Sequence, residues 1–373
     1  MRVCAAPARA VNGMAMPAGR HAATVVAAAV GYTALVVWLT WPLASMVTER
    51  LPCPQPLACT TDTPYSAWAA SWVSHALLTL SPVGAANIYY PAADALFYGP
   101  AAFGVVPYAL PVFAATGNAA AAIDVAFLAC VALTALALHW VVWRWTDSHL
   151  AGFVAAWAVL MNRWFLWGFV AVTPHLAAIQ YLPLIVYLAA RPLDRWQPTL
   201  LLSALIVIQS LTDPVYVAAA VFAPLGVLAL ARLARRAWRP SGVRLLAVLA
   251  GAMACLVPFF HAYARVRASD PAFAEHSAWA SHRKLFVLFA GVHPTDLESV
   301  WRTGSHPTTM VPAMLAVIGL GAVVAIGRRV FTSGSGLGRA WCHAGYWAVV
   351  GTLVSLSPVA TYSSRTRDSR KTS

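Results

Sequence analysis

The first candidate for a catalytic or metal-binding side chain in this chain is a carboxylate that lies between long apolar runs. Asp62 lies in the polar, Pro-containing segment 60–73, which reads TTDTPYSAWAASWV. A carboxylate that water can reach can accept a proton from a substrate hydroxyl, or it can bind a divalent metal. The alternative is an acid that caps the N-terminus of a helix, a role that Thr63 or Ser66 would fill as well. The spacing by itself favours the cap.

Three further side chains are candidate substrate contacts. Arg163, in MNRWFLW, would pair with a phosphate. Its alternative is an arginine that extends its guanidinium to the lipid headgroups. His175 and Gln180 are predicted to start the next helix from the same face, although a lone histidine there is more often satisfied by its neighbours. Asp213, in LTDPVY, is interpreted as part of an Asp-Pro turn.

The cysteines and short motifs exclude several kinds of site. Six cysteines are scattered without metal-ligand spacing, but Cys53 and Cys59 share one loop. A disulfide between them is feasible if the loop is extracytoplasmic, and two unpaired thiols are the equal alternative. No Walker, GxGxxG, GxSxG or HExxH motif is present, so nucleotide hydrolysis, dinucleotide redox and serine or zinc hydrolase chemistry have no support.

The composition predicts an all-α, polytopic transmembrane bundle. Hydrophobic residues make up 60% of the chain and charged residues only 10%, with a mean hydropathy of +0.68. A soluble domain of 373 residues could not bury so much apolar surface. The net charge of +13 lies in short clusters between apolar runs, where membrane orientation explains it, so nucleic acid is not an expected partner.

The basic clusters also predict the topology. If segment 97–115 does not cross the bilayer, the arginines that follow the apolar runs all fall on the cytoplasmic side. Pro100, Pro107 and Pro111 interrupt that segment, so it is predicted to be interfacial or re-entrant. Nine spans result, with a cytoplasmic N-terminus, a first outer loop at 48–117 and a long outer loop at 261–308. The predicted spans lie at about 22–47, 118–143, 149–161, 175–190, 198–212, 214–231, 243–260, 309–327 and 343–357. A transmembrane domain at 1–357 and an aberrant polar tail at 358–373 complete the predicted organisation.

The first outer loop is further predicted to contain an amphipathic interfacial helix. Trp68, Trp72 and Leu80 fall near helical spacing and would lie at headgroup depth. Ser71 and Ser74 would then lie on the opposite, polar face, together with His75. The long outer loop is rich in histidine and arginine, so it is either a phosphate-binding strip or an ordinary solvated loop.

In the order of its features the chain resembles the GT-C class of membrane glycosyltransferases. The matching stretches are TWPL (40–43), TDT and SWV (61–73), ANIYYPAADALFY (86–98), TGN (116–118), MNRW (161–164), QYLPL (180–184), QSLTDPVY (209–216) and SLSP (355–358). The match covers most of the chain as pattern and order. It is similar in particular to bacterial multispanning proteins that use a polyprenyl-phosphate-linked sugar.

The resemblance implies a function and a location. Asp62 falls where such enzymes carry an acidic residue that acts as general base or helps to hold a divalent metal. The expected partners are the lipid bilayer of a bacterial plasma membrane and a polyprenyl-phosphate-linked sugar. The family pattern also leads one to expect a glutamate where this chain has Gly99, and Asp94 is a possible substitute. The alternatives are a transporter or lipid flippase, and an inactive, truncated remnant.

Overall fold

The computed structural model describes residues 18–52, 62–161, 173–213 and 216–274, and within these ranges all regular structure is helical. Nine α-helices are described there: α1 Ala18–Leu39, α2 Asp62–Thr79, α3 Val106–Thr116, α4 Ala119–Thr146, α5 His149–Leu160, α6 Leu182–Ala189, α7 Trp196–Ser210, α8 Tyr216–Leu233 and α9 Arg239–Ser269. Short 3-10 turns lie at Leu43–Ser45, Ala95–Tyr98, Pro174–Ala177 and Arg236–Trp238. The predicted all-α class is therefore confirmed for the described part of the chain.

Local sequence signals set both ends of α4. The helix before it ends at Gly117, whose φ of +65° lies in the left-handed region that glycine adopts most readily. The Asn118 side chain then accepts a hydrogen bond from the Ala121 backbone N–H at 3.0 Å, which caps α4. After α4, the Ser148 side chain caps α5 by accepting from the Ala151 N–H at 3.2 Å. Both connections are short, so α3 and α5 fold back onto α4.

The central helix is α4, which contacts α1, α2, α3, α5 and α6. Its buried alanines allow this close approach, because a methyl group leaves room for a neighbouring backbone. A second core joins α6, α7, α8 and α9 through buried leucine and isoleucine side chains. The bundle thus has two apolar cores, and α4 reaches both through Phe127 in the first and Val141 in the second.

Two stretches of the described chain are long and apolar enough to cross a bilayer. They are Ala119–Thr146, which is α4, and Arg236–Ser269, which contains α9. With 28 residues, α4 extends for about 42 Å, which exceeds the hydrocarbon thickness of a bilayer. The other apolar helices are shorter, and the predicted spans 309–327 and 343–357 lie outside the described residues. The nine-span topology therefore stays a prediction.

Segment 97–115 forms no spanning helix. The 3-10 turn Ala95–Tyr98 is followed by α3, which has 11 residues and a length of about 16 Å. That length is too short to cross the hydrocarbon core. The helix packs against α2 and α4, so this segment belongs to the bundle and is not a separate surface element.

The predicted polar face of the α2 helix is wrong for two of its three residues. Ser71 and Ser74 are buried at 7% and 0% exposure, whereas His75 is exposed as predicted. Leu80, predicted on the apolar side, lies beyond the end of the helix. Small residues along α2 pack against α3 and α4, and their hydroxyls can bond within the helix, as Ser74 does to the Ala70 carbonyl at 2.7 Å. The alternation of serine and alanine therefore indicates close helix packing, and the interfacial position of α2 stays a prediction.

Two other predicted boundaries are also wrong. α9 continues to Ser269, so the first nine residues of the predicted loop 261–308 are helical. The run 175–190 is not one helix, because a 3-10 turn ends at Ala177 and α6 begins only at Leu182. Pro183 at the start of α6 favours a new helix N-terminus there, since proline lacks the N–H that a helix interior needs.

Candidate functional site

Asp62 is the first residue of α2, and its side chain is exposed. The following turns of the helix are buried: Thr63, Ser66, Ala67 and Ala70 are each at or below 5% exposure. These positions recur at spacings of three and four, so they form one face of the helix. A buried helix face thus fixes the backbone of Asp62 while its carboxylate stays accessible to water and to a substrate.

His175 connects the 3-10 turn 174–177 to the first turns of α2. Its Nδ1 lies 2.8 Å from the Ser66 hydroxyl, and both residues are buried. The same hydroxyl donates to the Asp62 backbone carbonyl at 2.8 Å, so it accepts from the His175 Nδ1–H. A serine whose proton is held by its own helix, with no exposed surface, is not an accessible nucleophile. The pair instead holds the 174–177 turn against the helix that carries Asp62.

Gln180 belongs to a separate polar group. Its side-chain amide donates to the Tyr108 hydroxyl at 3.1 Å, and the hydroxyls of Tyr108 and Tyr181 are also 3.1 Å apart. Burial raises the pKa of Tyr108, so the phenol stays protonated. His175 and Gln180 lie on different turns and bond to different helices, His175 to α2 and Gln180 to α3. Their predicted substrate contacts are therefore not adjacent in the described structure.

Asp94 forms an ion pair with Arg265 of α9, with a shortest N–O distance of 2.8 Å. The backbone of Asp94 is left-handed, with φ +56°, which places its carboxylate beside Gly84. A Cβ at position 84 would lie 2.7 Å from an Asp94 carboxylate oxygen, so glycine is required there. The ion pair brings the end of α9 to the first loop.

The Tyr263 side chain of α9 binds the same loop through hydrogen bonds to the backbone of the loop. The phenol donates to the Gly99 carbonyl at 3.0 Å and accepts from the Ala101 N–H at 3.1 Å. A Cβ at position 99 would lie 2.5 Å from the Tyr65 hydroxyl and 2.6 Å from the ring carbon that bears it. This packing gives a physical reason for Gly99: the space that a glutamate would need is filled by Tyr65.

Asp213 is the residue whose environment the sequence analysis missed. It was interpreted as an Asp-Pro turn, but only 2% of its surface is exposed. It interacts electrostatically with the buried Tyr263, and its backbone carbonyl accepts from the Ala218 N–H at 3.2 Å. The signal that could have found it is the pair of apolar runs on both sides, which leave little solvent for the turn between them.

Other predicted site residues lie outside the described residues. Arg163, Cys53 and Cys59 are among them, as is the part of the predicted long outer loop from 275 onward. Within the residues that the structure describes, no group of three or more His, Cys, Asp or Glu side chains is arranged to hold a metal ion. The phosphate-binding, disulfide and metal predictions for those segments therefore stay predictions.

Comparison with known proteins adds no family assignment to this geometry. No protein-family model, no curated protein and no solved structure matches the chain. The resemblance to GT-C glycosyltransferases therefore rests on the order of its sequence motifs alone.

Proposed function

We propose that the chain is a membrane glycosyltransferase that moves a sugar from a polyprenyl-phosphate carrier to an acceptor hydroxyl at the outer membrane surface. The observation that supports this function is an exposed carboxylate, Asp62, at the first residue of a helix whose following turns are buried. A catalytic group needs this combination, because the reacting atom must be accessible while its support is rigid. The motif order given above supplies the substrate class.

The proposed reaction uses Asp62 as a general base. Its carboxylate accepts the proton of the acceptor hydroxyl while that oxygen forms a bond to the anomeric carbon of the sugar. The bond from that carbon to the phosphate oxygen breaks, and the polyprenyl phosphate leaves with the bonding electron pair. The residues behind Asp62 position it: the Ser66–His175 hydrogen bond holds the neighbouring turn against the start of α2.

A divalent metal is compatible with this site as a phosphate-binding group. Mg²⁺ commonly uses one or two carboxylates and takes its other ligands from substrate phosphate and water. The exposed carboxylate of Asp62 fits that pattern, although no preformed cluster of three ligands is present among the described residues. Asp94 is less available for such a role, because its carboxylate already pairs with Arg265.

The proposal includes a membrane location. Two helices long and apolar enough to cross a bilayer give it its structural support. The finer features, a bacterial plasma membrane, nine spans and a cytoplasmic N-terminus, are supported by the distribution of basic residues along the sequence. This orientation would place Asp62 and the contact between Asp94 and Arg265 on the outer side.

A transporter or flippase is the second candidate, and one observation favours it. Asp124, in the second turn of α4, is 0% exposed, and neither carboxylate oxygen has a hydrogen-bond partner among the described residues. Ionisable residues inside spans are costly and often mark transport pathways. Asp62 and Asp124 therefore distinguish the two functions, since a transferase needs the first and a transporter the second.

The test uses the purified full chain in proteoliposomes with radiolabelled polyprenyl-phosphate hexoses and a membrane acceptor extract. Wild type should form a labelled product with a new glycosidic bond, and Asp62→Asn should not. Glu49→Gln removes another exposed acid of the same predicted loop and should retain transfer. Label that crosses the bilayer without a new bond, and stops crossing in Asp124→Asn, would establish the transporter. No transfer and no crossing by wild type would support the inactive remnant.

A further inference from the structure

A cavity of about 280 Å³ lies between α1, α4 and α6, away from Asp62. Its α4 wall is formed by Leu133, Leu136, Ala137 and Trp140. These positions are spaced i, i+3, i+4 and i+7, so they form one stripe along the helix. From Leu133 to the last lining residue of α4, Trp143, the stripe extends for about 15 Å. An elongated apolar ligand fits this shape.

The two ends of the cavity differ in their chemistry. At the Leu133 end, the lining includes Gln180 and the two bonded tyrosine hydroxyls described above. At the Trp143 end, it includes the imidazoles of His139 and His149. The His149 ring stacks on Trp143, with ring centres 4.8 Å apart and planes 12° from parallel. This stacking fixes the orientation of the terminal imidazole at the cavity.

A directed chain of hydrogen bonds ends at His149. The Tyr32 hydroxyl lies 2.6 Å from His139 Nδ1, and His139 Nε2 lies 3.2 Å from His149 Nδ1. Tyr32 is only 4% exposed, and His139 is the only hydrogen-bond partner that its phenol has among the described residues. The phenol must therefore donate its proton, since an unmade buried donor is costly. His139 then donates from Nε2, and His149 carries its own proton on Nε2.

This arrangement leaves a hydrogen-bond donor at one end of an apolar cavity. Three of the four imidazole nitrogens are engaged within the described part of the chain, and His149 Nε2–H remains for a ligand. Its complement is an acceptor atom attached to a hydrocarbon chain. Arg144, exposed at the same end of α4, adds a positive charge 5.7 Å from the Trp143 ring centre. Asp147, three residues further on, does not line the cavity.

We propose that this cavity is a phospholipid-binding site. One acyl chain lies along the stripe from Leu133 to Trp143, and a phosphate oxygen accepts the hydrogen bond from His149 Nε2. Donation to a charged acceptor is stronger than donation to a neutral one, which favours a lipid phosphate over an uncharged lipid. Free phosphate lacks the chain that the apolar walls would bury. The site shares no residue with the neighbourhood of Asp62, and Gln180 at its Leu133 end is its one candidate substrate contact among the described residues.

The test is photocrosslinking of the full-length chain in nanodiscs. The probe is phosphatidylglycerol with a diazirine in one acyl chain, and the labelled residues are located by mass spectrometry. We expect labelling of the cavity walls on α1, α4 and α6 in wild type. Ala137→Trp should abolish it by filling the cavity. Leu150→Trp, which adds the same ring at a position that is 72% exposed and outside the cavity, should not. Equal labelling in both variants would overturn the site.

A second variant tests the headgroup contact. His149→Phe keeps a ring to stack on Trp143 but removes the donor, so the preference for phosphatidylglycerol over a neutral diacylglycerol probe should fall about tenfold. An unchanged preference would overturn the phosphate assignment, and so would displacement of the probe by equimolar oleate. Unfolding midpoints equal to wild type establish that each variant is folded. If Ala137→Trp does not fold, Ala28→Leu fills the cavity from α1 with a smaller change.

Discussion

The phenol of Tyr263 offers a quantitative test of how the first loop is held against α9. It makes two hydrogen bonds to the backbone, donating to Gly99 and accepting from Ala101, and the tyrosine is 8% exposed. Tyr263→Phe removes both bonds and leaves a carbonyl and an N–H without that partner. At about 1 to 1.5 kcal/mol for each bond, unfolding should become easier by about 2 to 3 kcal/mol. That loss corresponds to roughly 30- to 150-fold in the unfolding equilibrium.

The assay is reversible unfolding of the purified chain in mixed micelles, followed by far-ultraviolet circular dichroism as the denaturing detergent fraction rises. Tyr90→Phe is the matched control, because it makes the same chemical change in the same loop at a residue that is 97% exposed. Its free energy of unfolding should stay within about 0.5 kcal/mol of wild type. If Tyr263→Phe also stayed within that range, the phenol would not hold the loop and the reasoning would be refuted.

Two other substitutions test the contacts around this loop. Gly99→Ala places a methyl group against the Tyr65 hydroxyl and should cost about 1 to 3 kcal/mol in the same unfolding assay. Gly31→Ala, which meets no atom within 4 Å, should be neutral or slightly stabilising, and equal effects of the two would contradict the packing argument. Arg265→Gln breaks the ion pair with Asp94, but Arg265 is 57% exposed, so the loss should be at most about 1 kcal/mol. The loss should shrink in 1 M salt, and a larger, salt-independent loss would show that Arg265 acts through packing.

Composition and periodicity predicted the helical class and the position of the central helix α4. The apolar run at 118–143 corresponds to α4. Apolar residues on all sides of the run favour a long buried helix, and the Asn118 side chain caps its N-terminus. The non-spanning character of 97–115 was predictable for a similar reason, since its prolines limit the length of a helix.

What composition did not predict were contacts between segments far apart in the chain. Ser71 and Ser74 were assigned to water by their polarity, yet tertiary packing buries them. Polarity by itself is a poor guide there, because a hydroxyl can bond to its own helix and then pack against a neighbouring helix. The burial of Asp213 was missed for a similar reason, since its electrostatic partner Tyr263 lies on α9, far along the chain.

The candidate site was predicted in part. The spacing favoured Asp62 as an acid at a helix N-terminus, and in the structure α2 is described from Asp62 onward with a buried face behind it. The link between Ser66 and His175 could not be predicted, because 109 residues separate the two side chains. The ion pair between Asp94 and Arg265 could not be predicted either, because it depends on how far α9 extends.

The most direct test of the proposed function is the initial rate of sugar transfer by three proteins in matched proteoliposomes: wild type, Asp62→Asn and Glu49→Gln. A positioned general base contributes about 10²- to 10⁴-fold, so Asp62→Asn should lose at least about 100-fold in rate. Glu49→Gln, which removes an exposed acid outside α2, should stay within about twofold. Transfer by Asp62→Asn at the wild-type rate would contradict the account and leave Asp62 as a helix cap.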